Sequence, residues 1–214
     1  GEIDMSGAEI DVVVEDQSGG RVAWVAVRNP ARLNILDSAG FDALAAAFET
    51  LAEDPGLGLA VLTGDGDKAF IGGADIREMV KLDSALARRF IARLGRATPA
   101  VRGRPVPVSA RIDGPALGAG LEIAGCCDLR AASDRSTFGM PEVRVGIPSV
   151  VEAALLPRLI GWGRTCELVL TGATISAADA LDWGLVERVT TAEELDATVA
   201  RWIEAVLGAG PRAI

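Results

Sequence analysis

Apolar and polar positions follow two rhythms along this chain. Valine-rich runs at 10–15, "IDVVVE", and 21–28, "RVAWVAVR", predict two strands, and "DQSGG" between them predicts a hairpin turn. "NPARLN" predicts a further turn. With Ser38 as its N-cap, a helix follows, because Phe41, Leu44, Ala45, Phe48 and Leu51 recur at helical spacing. "LAVLTG" (59–64), "VPVSARI" (106–112) and "LRAAS" (129–133) predict further strands. Helices are expected around 75–81, from Ser84 to about Arg96, from Gly118 to Cys127, and near 164–171, 176–183 and 193–207. "SVVEAALLPRLIG" (149–161) starts helical, with Pro157 expected to kink or end it. Strands alternating with helices predict an α/β class with parallel pairing.

Two strand-to-helix junctions carry glycines: "IGGAD" (71–75) and "GPALGAGLE" (114–122). Glycine is costly to order, so both junctions need a physical reason. Phosphate binding fits poorly, since the second turn reads G-x-x-x-G-x-G and no G-K-[ST] follows. Close packing of helix on strand is one explanation. The other is that each turn aims a backbone N–H into a site, where two converging donors would stabilise charge developing on a carbonyl oxygen.

Composition narrows the chemistry. Histidine and tyrosine are absent, which leaves carboxylates, lysine or cysteine for proton transfer and removes histidine-based metal sites. Three cysteines, Cys126, Cys127 and Cys166, form no disulfide framework and suggest a reducing, cytoplasmic setting. A formal net charge of −9 is a poor basis for binding nucleic acid or an anionic membrane. No apolar run approaches the ~20 residues of a membrane helix, and the first seven residues read as a loose terminus.

Two carboxylates stand among apolar neighbours. Glu122 is flanked by Leu121 and Ile123 in the first turn of its expected helix, and Glu142 lies in "FGMPEVRVGIP". Glu122 alone could simply stabilise a helix N-terminus, and Glu142 could be the ordinary partner of Arg144 or another cation. Beside two N–H-presenting turns, the pair fits carboxylate acid–base chemistry next to a carbonyl.

With these residues in view, "FIGGADIREM" (70–79), "GPALGAGLEIAGCCDLRAAS" (114–133) and "FGMPEVRVGIPSVV" (138–151) resemble the signature blocks of the crotonase, or enoyl-CoA hydratase/isomerase, superfamily. "NPARLNIL" (29–36) is similar to its early CoA-contacting turn, and 161–189 to its later helix–helix–strand block. The resemblance implies a crotonase-like spiral of ββα repeats over 1–190. It also implies the start of a C-terminal helical region at 191–214, which in the family continues further. It implies an acyl-CoA thioester substrate, no cofactor beyond the substrate's own CoA, no metal, and a homotrimer or dimer of trimers. Oxyanion-hole N–H groups would fall on Ala74 and Ala119, with the glycines around them keeping the approach clear. Substrate or CoA contacts would fall on Arg32, Leu33, Gly72 and Gly73, and on Asp75, Ile76 and Gly118. Arg32 stands near where many relatives place a lysine. Glu122 and Glu142, twenty residues apart, match the family's two hydratase carboxylates. They imply hydration of a trans-2-enoyl-CoA, with Glu122 activating water and Glu142 giving a proton to C2. Alternatives are an isomerase, dehalogenase, decarboxylase or thioester hydrolase on the same frame, or a non-catalytic acyl-CoA- or RNA-binding relative.

Overall fold

The computed structural model describes residues 7–147, 149 and 151–209; the expected loose start falls almost wholly outside them. β1 (Glu9–Gln17) and β2 (Gly20–Arg28) pair antiparallel through a two-residue turn in which Gly19 takes φ +101°. α1 (Ser38–Leu51) leads to β3 (Leu57–Gly64), which pairs parallel to β2. After α2 (Ile76–Met79) and α3 (Ser84–Arg102) come β4 (Val108–Ile112), β5 (Ala116–Leu117) and α4 (Ala119–Cys126). Then follow β6 (Leu129–Ser133), β7 (Thr137–Gly139), α5 (Leu156–Ile160), α6 (Trp162–Thr171) and β8 (Thr174–Ser176). α7 (Ala177–Trp183), β9 (Arg188–Thr190) and α8 (Leu195–Ala209) complete the order.

The main sheet runs β1-β2-β3-β4-β6-β9, parallel from β2 onward, and a smaller one runs β5-β7-β8. Isolated bridges Leu36–Ala74 and Ile71–Ala116 extend the small sheet toward the start of the chain. Successive turns of chain therefore each give one strand to the large sheet, one short pairing segment to the small one, and then helix. This is the expected ββα spiral, and it stacks residues 36, 71–74, 116–118 and 138–139 side by side.

Strand periodicity builds cores on both faces of the large sheet. Ala23, Val25, Val27, Ala60 and Leu62 face the main core with α1, α3 and α4. Val22, Leu59, Val61 and Ala131 face Leu195, Val199, Ile203 and Leu207 of α8. Within the main core Phe41 of α1 and Phe90 of α3 meet edge to face, centroids 5.6 Å apart, a geometry worth about 1 kcal/mol beyond its buried area.

Local chemistry corrects several expectations. Asp37, not Ser38, caps α1, accepting from the Gly40 N–H. Ser38 is instead the first helical residue, and its N–H and hydroxyl both donate to Glu78. The helix expected over 75–81 is only α2, capped by Asp75. α3 continues past Arg96 through Pro99, which sits one turn from the helix end and so removes a single internal hydrogen bond. Pro157 sits in the first turn of α5 rather than breaking a longer helix, since a first-turn proline lacks only an N–H that has no helical partner. A 3-10 turn, Val151–Leu155, precedes it; Val150 of the expected helical start lies outside the described residues.

Candidate active site

The stacked spiral brings both glycine turns together. Leu36 donates to Gly73 O and accepts from the Asp75 N–H, at 2.9 and 2.8 Å. Along an extended chain alternate peptide groups face opposite sides, so the N–H of Ala74 faces away from Leu36, toward the second turn. The Leu117 N–H donates to Ile71 O at 3.1 Å, and the Gly118 N–H to Gly139 O at 2.9 Å. α4 begins at Ala119, so the Ala119 N–H is one of the first-turn donors with no acceptor inside the helix.

The base of the second turn is pinned. Asp113 accepts from both Arg135 Nε and Nη2, at 2.7 and 2.6 Å. The Ser136 hydroxyl accepts from the Gly114 N–H and donates to Ile112 O. Burial works to raise the Asp113 carboxyl, but the Arg135 fork and nearby Ser133 outweigh it and hold it below the ordinary aspartate value.

The surroundings of these glycines bear on the close-packing explanation. A β-carbon at Gly120 would lie 2.0 Å from Ile71 O, and one at Gly72 would lie 2.9 Å from Leu33 O. These two serve close packing of the turns. Gly73 takes φ +115° and Gly118 takes φ +52°, conformations that L side chains rarely adopt.

Both carboxylates reach the junction. Glu122 is buried in the first turn of α4, and its Oε1 accepts from the Ala153 N–H at 2.9 Å. Glu142 lies in a 3-10 turn, Pro141–Val145, that the chain enters directly from β7. Its Oε1 lies against Gly118, and its Oε2 is 3.4 Å from the Ser149 hydroxyl. Burial pushes the Glu142 carboxyl above its ordinary value; contacts from its own backbone and from Ser149 work the other way without overcoming it. Among the described residues Glu142 forms no ion pair with Arg144, so it is not an ordinary surface salt-bridge partner.

A cavity of about 320 Å³ opens on these groups. It is lined by Gly72, Gly73, Ala74, Gly118, Ala119, Glu122 and Glu142, with an apolar wall of Ile76, Met79, Phe90, Ile91, Leu94 and Val145. Arg32, Leu33 and Asp75 are not part of its lining. Arg32 instead donates to Asp75 at 2.8 Å, both side chains largely covered. Burial of Asp75 is outweighed by Arg32 and by the Arg77 N–H, which hold its carboxyl below the ordinary value. Leu33 and Asn34 both take left-handed φ, near +55°. The buried Asn34 amide accepts from the Asn29 N–H and donates to Asp65 O and Ala69 O. That clamp holds the early turn against the first glycine junction. An asparagine ahead of an apolar run was the available signal, and only its turn propensity was legible.

A larger cleft, about 560 Å³, lies by the β1–β2 turn and the end of α8. Its carboxylates are Glu53 and Asp54, and Asp54 is paired with Arg21. No group of three or more metal-ligating side chains occurs among the described residues. The cavity at the glycine turns is therefore where a buried and a half-buried carboxylate, the backbone of Ala74 and Ala119 and an apolar wall meet.

Known proteins share this chain's sequence pattern and fold. The model of the enoyl-CoA hydratase/isomerase family matches residues 17–214. A crotonyl-CoA hydratase of Syntrophomonas wolfei is 34% identical over 205 residues, covering 95% of this chain and 78% of the relative. A short-chain-enoyl-CoA hydratase of Clostridium acetobutylicum is likewise 34% identical over 205 residues, with the same coverage. The crystal structure of an enoyl-CoA hydratase from Bacillus anthracis superposes with a TM-score of 0.87 at 32% identity, over 94% of this chain and 78% of that one. The chain has the crotonase fold, belongs to the enoyl-CoA hydratase/isomerase family and is an enzyme of its hydratase kind.

Proposed function

We propose that this enzyme adds water across the C2–C3 double bond of trans-2-enoyl-CoA thioesters, giving 3-hydroxyacyl-CoA. The observation that carries this is the meeting of two carboxylates, buried Glu122 and half-buried Glu142, with the backbone N–H groups of Ala74 and Ala119 around one apolar cavity. The thioester oxygen would sit between the two N–H donors, near the positive end of α4. Glu122, oriented by the Ala153 N–H, would take a proton from the water that attacks C3. The electrons move to the thioester oxygen as an enolate. Glu142 then protonates C2. Its desolvated carboxyl suits this role, because a carboxyl held above its ordinary value keeps its proton to higher pH. The water's oxygen and one proton end on C3, and the second proton, exchanged through the carboxylates, on C2.

The apolar wall of Ile76, Met79, Phe90 and Leu94 would receive the acyl chain. Gly72, Gly73, Gly118 and Ile76 would touch substrate directly. Arg32, Leu33 and Asp75 would act at the early turn, with Arg32 and Asp75 holding that turn together. The reaction needs neither metal nor separate cofactor. We further propose a homotrimer or a dimer of trimers in the cytoplasm; no helix among the described residues is long and apolar enough to cross a membrane. Light scattering of the purified protein tests the assembly, and a monomer would count against it. Product analysis after incubation with crotonyl-CoA tests the chemistry. 3-Hydroxybutyryl-CoA supports hydration. Conversion to 3-butenoyl-CoA, or release of free CoA, would instead point to isomerase or hydrolase activity on the same frame.

A further inference from the structure

Arg144 follows Glu142 by two residues in the Pro141–Val145 turn, is exposed, and lines the same cavity. It is the sole basic residue of that lining among the described residues, facing apolar side chains and two carboxylates. None of the ion pairs among the described residues uses it. Other arginines among the described residues are paired: Arg32, Arg111, Arg130 and Arg135, for example, each hold a carboxylate.

Its stem is nevertheless seated. Gly172 ends α6 at φ +65°, and a β-carbon there would lie 2.9 Å from both Cγ and Nε of Arg144. The same β-carbon would also lie 3.1 Å from Val143 Cγ1. The missing side chain at 172 is the shelf across which Arg144 lies. Seating a long side chain before a ligand arrives lowers the ordering cost of binding. A guanidinium with planar, forked donors is suited to carboxylate and phosphate oxygens. An anion entering a cavity that already holds two glutamates needs such a counter-charge.

We propose that Arg144 is a substrate-binding residue at the cavity mouth that takes an oxyanion carried by the thioester substrate. The proposal rests on the acyl-CoA reading above and deepens it. The oxyanion has two sources, a phosphate of the CoA carrier or a carboxylate at the far end of the acyl group.

Calorimetry with saturated thioesters distinguishes them, and it reads binding, so it does not depend on turnover. The probes are butyryl-CoA, glutaryl-CoA and S-butyryl-pantetheine, the last lacking every phosphate. Arg144→Gln should weaken at least one CoA thioester about tenfold or more, the scale of one lost charged hydrogen bond, and leave S-butyryl-pantetheine unchanged. Loss on glutaryl-CoA alone assigns the acyl carboxylate; equal loss on both CoA thioesters assigns the phosphate. Arg144→Lys should restore part of the affinity. Thermal melting checks that both variants stay folded, as expected for an exposed side chain. Wild-type protein that binds the thioesters while Arg144→Gln binds all three equally well overturns the proposal and leaves the acyl-CoA reading standing. Equal weakening of the pantetheine thioester also overturns it. Wild-type protein that binds none of them overturns both.

Discussion

A β-carbon at Gly118 would lie 2.2 Å from Glu142 Oε1, so the carboxylate occupies the space that any other residue at 118 would fill. Gly118 also takes φ +52° and ψ −121°, open to glycine and strained for L side chains. Gly118→Ala should therefore do two separable things. The strain should cost about 1–3 kcal/mol of stability. The methyl meets the tip of a flexible side chain, so the fold yields by turning Glu142 away, and kcat should fall by about two orders of magnitude. Chemical denaturation and steady-state rates on one preparation check both. A folded Gly118→Ala enzyme of normal rate would show that Glu142 does not work from this position.

Glu142 should carry a stability cost that its function requires. Its carboxyl is raised in the folded state, so the folded chain holds the proton more tightly than the unfolded one. The penalty is then absent below the ordinary glutamate value of about 4.3 and fully present above the raised folded value. Glu142→Gln should melt higher than wild type at neutral pH, and the difference should close as pH falls through that window. Melting curves at several pH values check this, and a lower melting temperature at neutral pH would contradict it.

The donor at Ala119 can be removed with little harm to the helix. Ala119 opens α4, and a first helical residue is where proline is best tolerated. Ala119→Pro should keep its circular dichroism spectrum and lose about 10²–10³ in kcat, the usual cost of one oxyanion donor. Ala119→Gly keeps the N–H and should be mild. A folded Ala119→Pro enzyme with near-normal rate would remove this N–H from the mechanism.

Much of this was legible in the sequence. Apolar runs located five of the six large-sheet strands, helical spacing located α1, and apolar flanks singled out Glu122 and Glu142; three-residue β9 was implied only by the resemblance. The order of motif blocks identified the spiral. What stayed hidden depends on partners far apart in the chain. Glu78 bonds Ser38 across forty residues, and Asn34 reaches carbonyls thirty-one and thirty-five positions away. The strands of the small sheet are two or three residues long, too short for any period to show. Arg32 could be identified as a cation near a ligand turn; that Asp75 holds it is a fact of tertiary structure.

That pairing carries its own test. Arg32 and Asp75 are each about one-tenth exposed, and removing one partner of so covered a pair should cost about 3 kcal/mol. Asp75→Asn should lower stability by that order, and more than Arg28→Gln, whose half-exposed side chain pairs at the surface. Equal effects in urea unfolding would show that the early turn does not depend on the buried pair.

Hydration of crotonyl-CoA, followed by product identity and rate for wild type, Glu122→Gln, Glu142→Gln and the double variant, tests the paired-carboxylate mechanism most directly. Wild type should give 3-hydroxybutyryl-CoA. Each single variant should lose about 10²–10⁴ in kcat with little change in binding of butyryl-CoA. The double variant should lose far less than the product of the two, because the carboxylates act as a unit. Hydration at near the wild-type rate by either folded single variant would contradict the mechanism.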